Sequence, residues 1–145
     1  MDAANNDQEL ESASVTLVDG LYFAGDIGGV RIDLDAEESV GGVGAGPRPH
    51  RLLLLAMAGC TAMDVLSILR KKRQQVSGLS VEVQGSRADQ HPRVYTRFDV
   101  LYRVRGTNID PQAVARAIEL STTRYCPVIG LLGKVAEVAT HSEIE

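Results

Sequence analysis

Three observations predict an α+β fold: an antiparallel sheet with one long central helix that carries a cysteine, and a second, shorter helix. Segments of alternating polarity come in neighbouring pairs joined by turn signals, which is the pattern of hairpins rather than of parallel crossovers. Residues 49–74 contain no helix breaker except Gly59. The tetrapeptide Asn108-Ile109-Asp110-Pro111 opens another helical stretch, with Asp110 a good N-cap and Pro111 a good first helical residue.

The elements follow in order. Residues 1–12 are polar and acidic without apolar periodicity, and are expected to be a flexible tail; residues 13–145 are expected to be a single domain. SVTLVDGLYFAG carries β-branched and aromatic residues around Asp19-Gly20, a hairpin-turn signal. In GVRIDLDA, Val30, Ile32 and Leu34 alternate with Arg31, Asp33 and Asp35, as in a half-exposed strand. VGGVGAGPRP (40–49) reads as a flexible lead-in loop; it lacks the Lys-Ser/Thr of a phosphate-binding loop and the glycine spacing of a dinucleotide fold. Pro49 can open a helix that runs to about Gln74. Leu53, Met57, Cys60, Asp64 and Ser67 share one of its faces, and other apolar residues cover most of the rest. Such a helix needs more cover than one sheet provides, which predicts a dimer. LSVEVQGSRAD (79–89) and RVYTRFDVLYRVRG (93–106) form a hairpin with one wet face. A helix from Pro111 to about Tyr125 follows, then Cys126-Pro127, a short apolar segment and a final strand in KVAEVATHSEI.

Composition narrows the function. A net charge of −4 argues against a nucleic-acid binder, and the start of the chain has no apolar signal region. The run Leu52–Met57 is too short to cross a bilayer, and Asp64 and the basic cluster Arg70–Arg73 follow it. A cytoplasmic protein without membrane or nucleic-acid partners is expected. In that compartment two cysteines are catalytic, redox-sensing or buried more often than they form a static disulfide.

Cys60 and Cys126 lie 66 residues apart, without CxxC or zinc-finger spacing, and His50, His91 and His141 form no ligand pair; a zinc site of Cys60, Cys126 and one His stays open but no spacing supports it, and no metal is expected. Small residues surround Cys60, and Gly59 costs about 1 kcal/mol relative to Ala inside a helix. This choice suits the close approach of another backbone or a substrate. Cys126 follows Arg124, a cation that would favour its thiolate. Asp64 and apolar neighbours oppose a thiolate at Cys60, so a cation must come from elsewhere; Arg31, Arg48, Arg51 and Arg124 are the candidates. A dyad of Cys60 with His50 or His141 stays open.

The stretch PHRLLLLAMAGCTAMDVLSILRKKRQ, followed by two strands, a helix and RYCPVIGLLG, resembles the OsmC/Ohr family, the osmotically inducible protein C and organic hydroperoxide resistance proteins. The helix motif is most similar to that of the YhfA-type branch. The resemblance implies an intertwined homodimer with its active sites at the subunit interface. It implies a thiol peroxidase for organic hydroperoxides, hydrogen peroxide included among the candidates, serving oxidative-stress defence. Cys60 would be the peroxidatic and Cys126 the resolving cysteine. No cofactor is needed beyond a dithiol electron donor, which is lipoyl-linked in the better-known branch. The family's helix-opening Glu has no counterpart here: His50 and Arg51 stand at the two positions where it occurs. The site candidates are therefore Cys60 and Cys126, with Arg48, His50, Arg51, Asp64 and Arg124 as activating or substrate-contacting residues. The alternative is a non-catalytic dimer that binds a small ligand or senses oxidants through the same pocket.

Overall fold

The computed structural model describes residues 9–145. The tail expected over residues 1–12 lies outside the described residues as far as residue 8, and residues 9–12 have no regular structure. The chain divides into two units, residues 1–52 and 53–145.

The first unit is an antiparallel meander of β1 (Ala13–Asp19), β2 (Tyr22–Ile27) and β3 (Val30–Leu34). Gly20 takes a φ of +53° in the first turn, and Gly28 and Gly29 both have positive φ in the second, the conformation that tight hairpins require. The glycine-rich loop after β3 is folded around an anion supplied by the chain itself. The Asp35 carboxylate, only 2% exposed, accepts from the backbone N–H groups of Ala36 (2.7 Å), Val43 (2.9 Å) and Ala45 (3.0 Å). These bonds hold its pKa below the usual carboxylate range. Gly42 is obligatory there, because a Cβ would run into the Ala36 carbonyl. The loop expected to be a flexible lead-in is thus a built turn.

The second unit packs one sheet against helices. The first unit ends in a 3₁₀ turn over Pro49–Arg51, and α1 runs on from Leu52 to Lys71. It stops short of Gln74 because Arg73 takes a left-handed φ of 58°. β4 (Gln75–Arg87) and β5 (Tyr95–Thr107) form the expected hairpin. Asp110 caps α2 (Pro111–Leu120), accepting from the Gln112 N–H at 2.9 Å. A π turn over Ser121–Tyr125 and a short α3 (Pro127–Leu132) come next. α3 occupies the apolar segment that precedes the last strand, β6 (Glu137–Ile144). β6 pairs in parallel with β5, so the otherwise antiparallel sheet has one parallel edge, in the order β4-β5-β6. Sequence alternation cannot reveal direction; the α2–α3 crossover returns the chain to the start of β5 and so sets it.

The core joins Met57, Val65 and Leu69 of α1 to Phe98, Val100, Tyr102 and Val104 of β5 and to Ala113, Val114, Ala117 and Ile118 of α2. The buried line of α1 is Met57, Thr61, Val65 and Leu69, one step round from the face expected to carry Cys60 and Asp64. That shift leaves Cys60 and Asp64 half-buried at its border. By length and composition alone, Pro49–Lys71 is apolar enough to cross a membrane, a span that the shorter run Leu52–Met57 does not suggest. The buried line is what ties this helix to the sheet and α2.

Candidate functional site

The fold closes the 66-residue gap between the cysteines. α1 presents Cys60 and, one turn later, Asp64; the end of the π turn presents Cys126. The two sulfurs and an Asp64 carboxylate oxygen all lie within 4.8 Å of one another. Both cysteines are free.

The π turn is what aims Cys126. Its N–H bonds to the Ser121 carbonyl at 2.8 Å, five residues back, which inserts an extra residue into the helical path. Cys126 then leaves the helix with extended backbone and caps α3, its sulfur accepting from the Ile129 N–H at 3.4 Å. Pro127 follows as the first residue of α3, where its missing N–H does no harm.

Cys126 is buried, and burial pushes its thiol up to about 11. Contact with Cys60 acts in the same direction, whereas the Ile129 amide opposes it. The expected help from Arg124 does not materialise. Its exposed guanidinium lies 5.4 Å over the ring of Tyr125.

A buried chain of hydroxyls ends at the same carboxylate. Tyr102 OH meets Thr61 Oγ1 at 2.7 Å, Thr61 Oγ1 meets Ser121 Oγ at 2.8 Å, and Ser121 Oγ donates to Asp64 Oδ2 at 2.9 Å. Ser121 spends its one hydroxyl hydrogen on Asp64, so the rest is fixed by elimination: Thr61 donates to Ser121, and Tyr102 to Thr61. Burial raises the Tyr102 pKa, which keeps the head of this chain a donor. Among the described residues no Lys, Arg or His forms an ion pair with Asp64.

The structure thus gathers Cys60, Cys126 and Asp64 from the expected set. Arg48 pairs with Glu37 inside the first unit. Half-buried His50 and exposed Arg51 sit in the 3₁₀ turn before α1. His141 lies on β6, 3.7 Å from Asp99. A Cβ at Gly59 would meet nothing within 4 Å among the described residues, so this glycine leaves open space beside Cys60 there. Thr61, Ser121 and Tyr102 escape a search for chemistry, because each occupies a core position in its element's apolar pattern. The signal that finds them is a hydroxyl on a buried stripe, since such a group must have a partner.

A family model described as OsmC-like protein matches residues 42–141. The chain belongs to the OsmC-like family. This OsmC-like protein is 37% identical over 131 residues to protein YhfA of Escherichia coli K12, a match that spans 90% of the chain and 94% of that relative. Its fold is similar to that of a hypothetical protein from Aquifex aeolicus VF5, with a TM-score of 0.84 at 26% identity over 94% of this chain and 97% of that one. It is also similar to the organic hydroperoxide resistance protein OhrB of Bacillus subtilis, with a TM-score of 0.64 at 13% identity over 92% and 98%. In this OsmC-like protein both cysteines fall within the matched residues, as do Asp64 and the hydroxyl chain.

Proposed function

We propose that this OsmC-like protein is a cytoplasmic two-cysteine thiol peroxidase that reduces organic hydroperoxides in defence against oxidative stress. The observation that carries the reading is the convergence of Cys60 and Cys126, remote in sequence, to sulfurs within 4.8 Å. The Cys60 thiolate attacks the distal oxygen of ROOH, the O–O bond breaks, and the alkoxide released takes a proton from solvent and leaves as ROH. The sulfenic acid at Cys60 then condenses with the Cys126 thiol, forming a disulfide and releasing water. Asp64 lies close enough to both sulfurs to take the Cys126 proton as that bond forms and pass it to the departing oxygen, which leaves as water. A dithiol donor, lipoyl-linked in related systems, reduces the disulfide and is itself oxidised. The reaction needs no other cofactor.

The working unit is a homodimer. Leu55 and Met63 of α1 are 69% and 74% exposed, and Gly59 leaves open space between them beside Cys60. A second subunit covering this face would enclose the site and bring the activating cation. Arg48, His50, Arg51 and Arg124 of either copy are the candidates for activating Cys60 or contacting the substrate.

Cys60→Ser is expected to abolish consumption of an organic hydroperoxide; unchanged turnover would defeat the reading. Cys126→Ser is expected to allow one oxidation per chain, with sulfinic acid accumulating at Cys60. Mass spectrometry of the peroxide-treated protein should find the 60–126 disulfide. A second reading, a redox sensor without turnover, is favoured by Arg48 and Arg124 being engaged with Glu37 and Tyr125. Stoichiometric peroxide loss that a dithiol donor cannot sustain would select it.

A further inference from the structure

Asp64 stands beside both sulfurs. A carboxylate beside a nucleophilic cysteine opposes the thiolate, yet the fold builds a three-hydroxyl chain to hold it there. The two sulfurs and an Asp64 carboxylate oxygen stand within 4.8 Å of one another, and no side-chain cation among the described residues pairs with the carboxylate.

We propose that reduced Cys60 and Cys126 together with Asp64 form a binding site for a soft divalent cation of the zinc class. Two thiolates and one carboxylate are a donor set that suits zinc over magnesium or calcium. Bonds of about 2.3 Å to sulfur and about 2.0–2.2 Å to oxygen place tetrahedral donors roughly 3.5–3.8 Å apart. The observed separations, all under 4.8 Å, need only small side-chain adjustment to reach that spacing. The site has the outer support that metal centres use. Ser121 orients Asp64 through Oδ2 and leaves the other carboxylate oxygen without a hydrogen bond among the described residues. The Ile129 N–H donates to the Cys126 sulfur.

Three protein ligands leave a fourth position open, so the ion would keep a water or small anion. Binding forms two metal–sulfur bonds and one metal–oxygen bond, and any proton still on a thiol passes to solvent. No electrons move. The bound state and the 60–126 disulfide exclude each other, because a disulfide has no thiolate to offer. A bound cation therefore withholds Cys60 from hydroperoxide. This inhibition rests on the peroxidase reading; the metal site itself does not.

The test is titration of the full-length, reduced protein with cobalt(II), followed by displacement with zinc(II). Sulfur-to-cobalt charge transfer absorbs in the near ultraviolet, so it reports thiolate ligation directly and independently of turnover. One ion per chain is expected, with the band lost in Cys60→Ser and in Cys126→Ser. Asp64→Asn should weaken cobalt and zinc by at least roughly tenfold. Wild-type protein oxidised to the disulfide, with its fold checked by circular dichroism, should give no band, which covers the case of a variant that misfolds. Absence of the band in reduced wild type overturns the proposal, as does undiminished affinity in Asp64→Asn, which would mean chelation by two thiols alone. Cobalt ligation without hydroperoxide consumption would sink the peroxidase and leave the site standing; turnover without cobalt ligation would do the reverse.

Discussion

Ser121 shows how much one hydroxyl can connect. It accepts from Thr61, donates to Asp64, and its carbonyl receives the Cys126 N–H. Ser121→Ala removes the middle of a buried chain and leaves Thr61 without its acceptor. An unsatisfied buried hydroxyl costs about 1–3 kcal/mol, so denaturant titration should show a loss of about 2 kcal/mol. Thr61→Val should cost a similar amount, and the double variant less than the sum, because both cut the same chain. Asp35 offers a second test in the first unit. Its folded pKa lies below its unfolded value, so its contribution to stability is full above about pH 3.9 and is lost as the pH falls from there through the folded value. Asp35→Asn should flatten the acid limb of the stability profile. Both cysteines and Asp64 stand out in the sequence as chemical residue types. Thr61, Ser121 and Tyr102 do not, because a hydroxyl on an apolar stripe declares its role only when its partner is found on another element.

Among the elements, the π turn over Ser121–Tyr125 decides the site. An α-helix over the same residues would rotate Cys126 about 100° for each residue of register gained or lost, away from Cys60. Deleting Thr123, an exposed residue of the turn, should restore α-helical register. The expected result is helical content close to wild type by circular dichroism, with no 60–126 disulfide after peroxide. The sequence predicts that the second helix reaches Tyr125, and the helical path does end there, but its change of pitch is not written in the apolar periodicity. The same holds for α1. Its length and its apolar character are legible; which line of it faces the sheet depends on side chains of β5 and α2 that its own sequence does not contain.

For the whole molecule, the exposed apolar surface is the outstanding feature. Val15, Leu17, Ile27 and Val30 in the meander, and Leu53, Leu55 and Met63 on α1, are all more than two-fifths exposed. Patches of this kind mark surfaces that associate. Sedimentation at micromolar concentration should find a dimer, and Met63→Asp should yield a monomer of reduced peroxide turnover; a monomeric wild type would refute the interface site. The sequence by itself determined the class of fold, the order of its strands and helices, and the two sulfurs worth following. It could do so because alternation, capping residues and helix breakers act locally, over a few residues. Only the tertiary structure decided that β6 runs parallel to β5, that the glycine loop encloses Asp35, and that Asp64 joins both cysteines in one cluster. Those outcomes depend on groups far apart in the chain competing for the same buried space, and no local pattern records which of them meet.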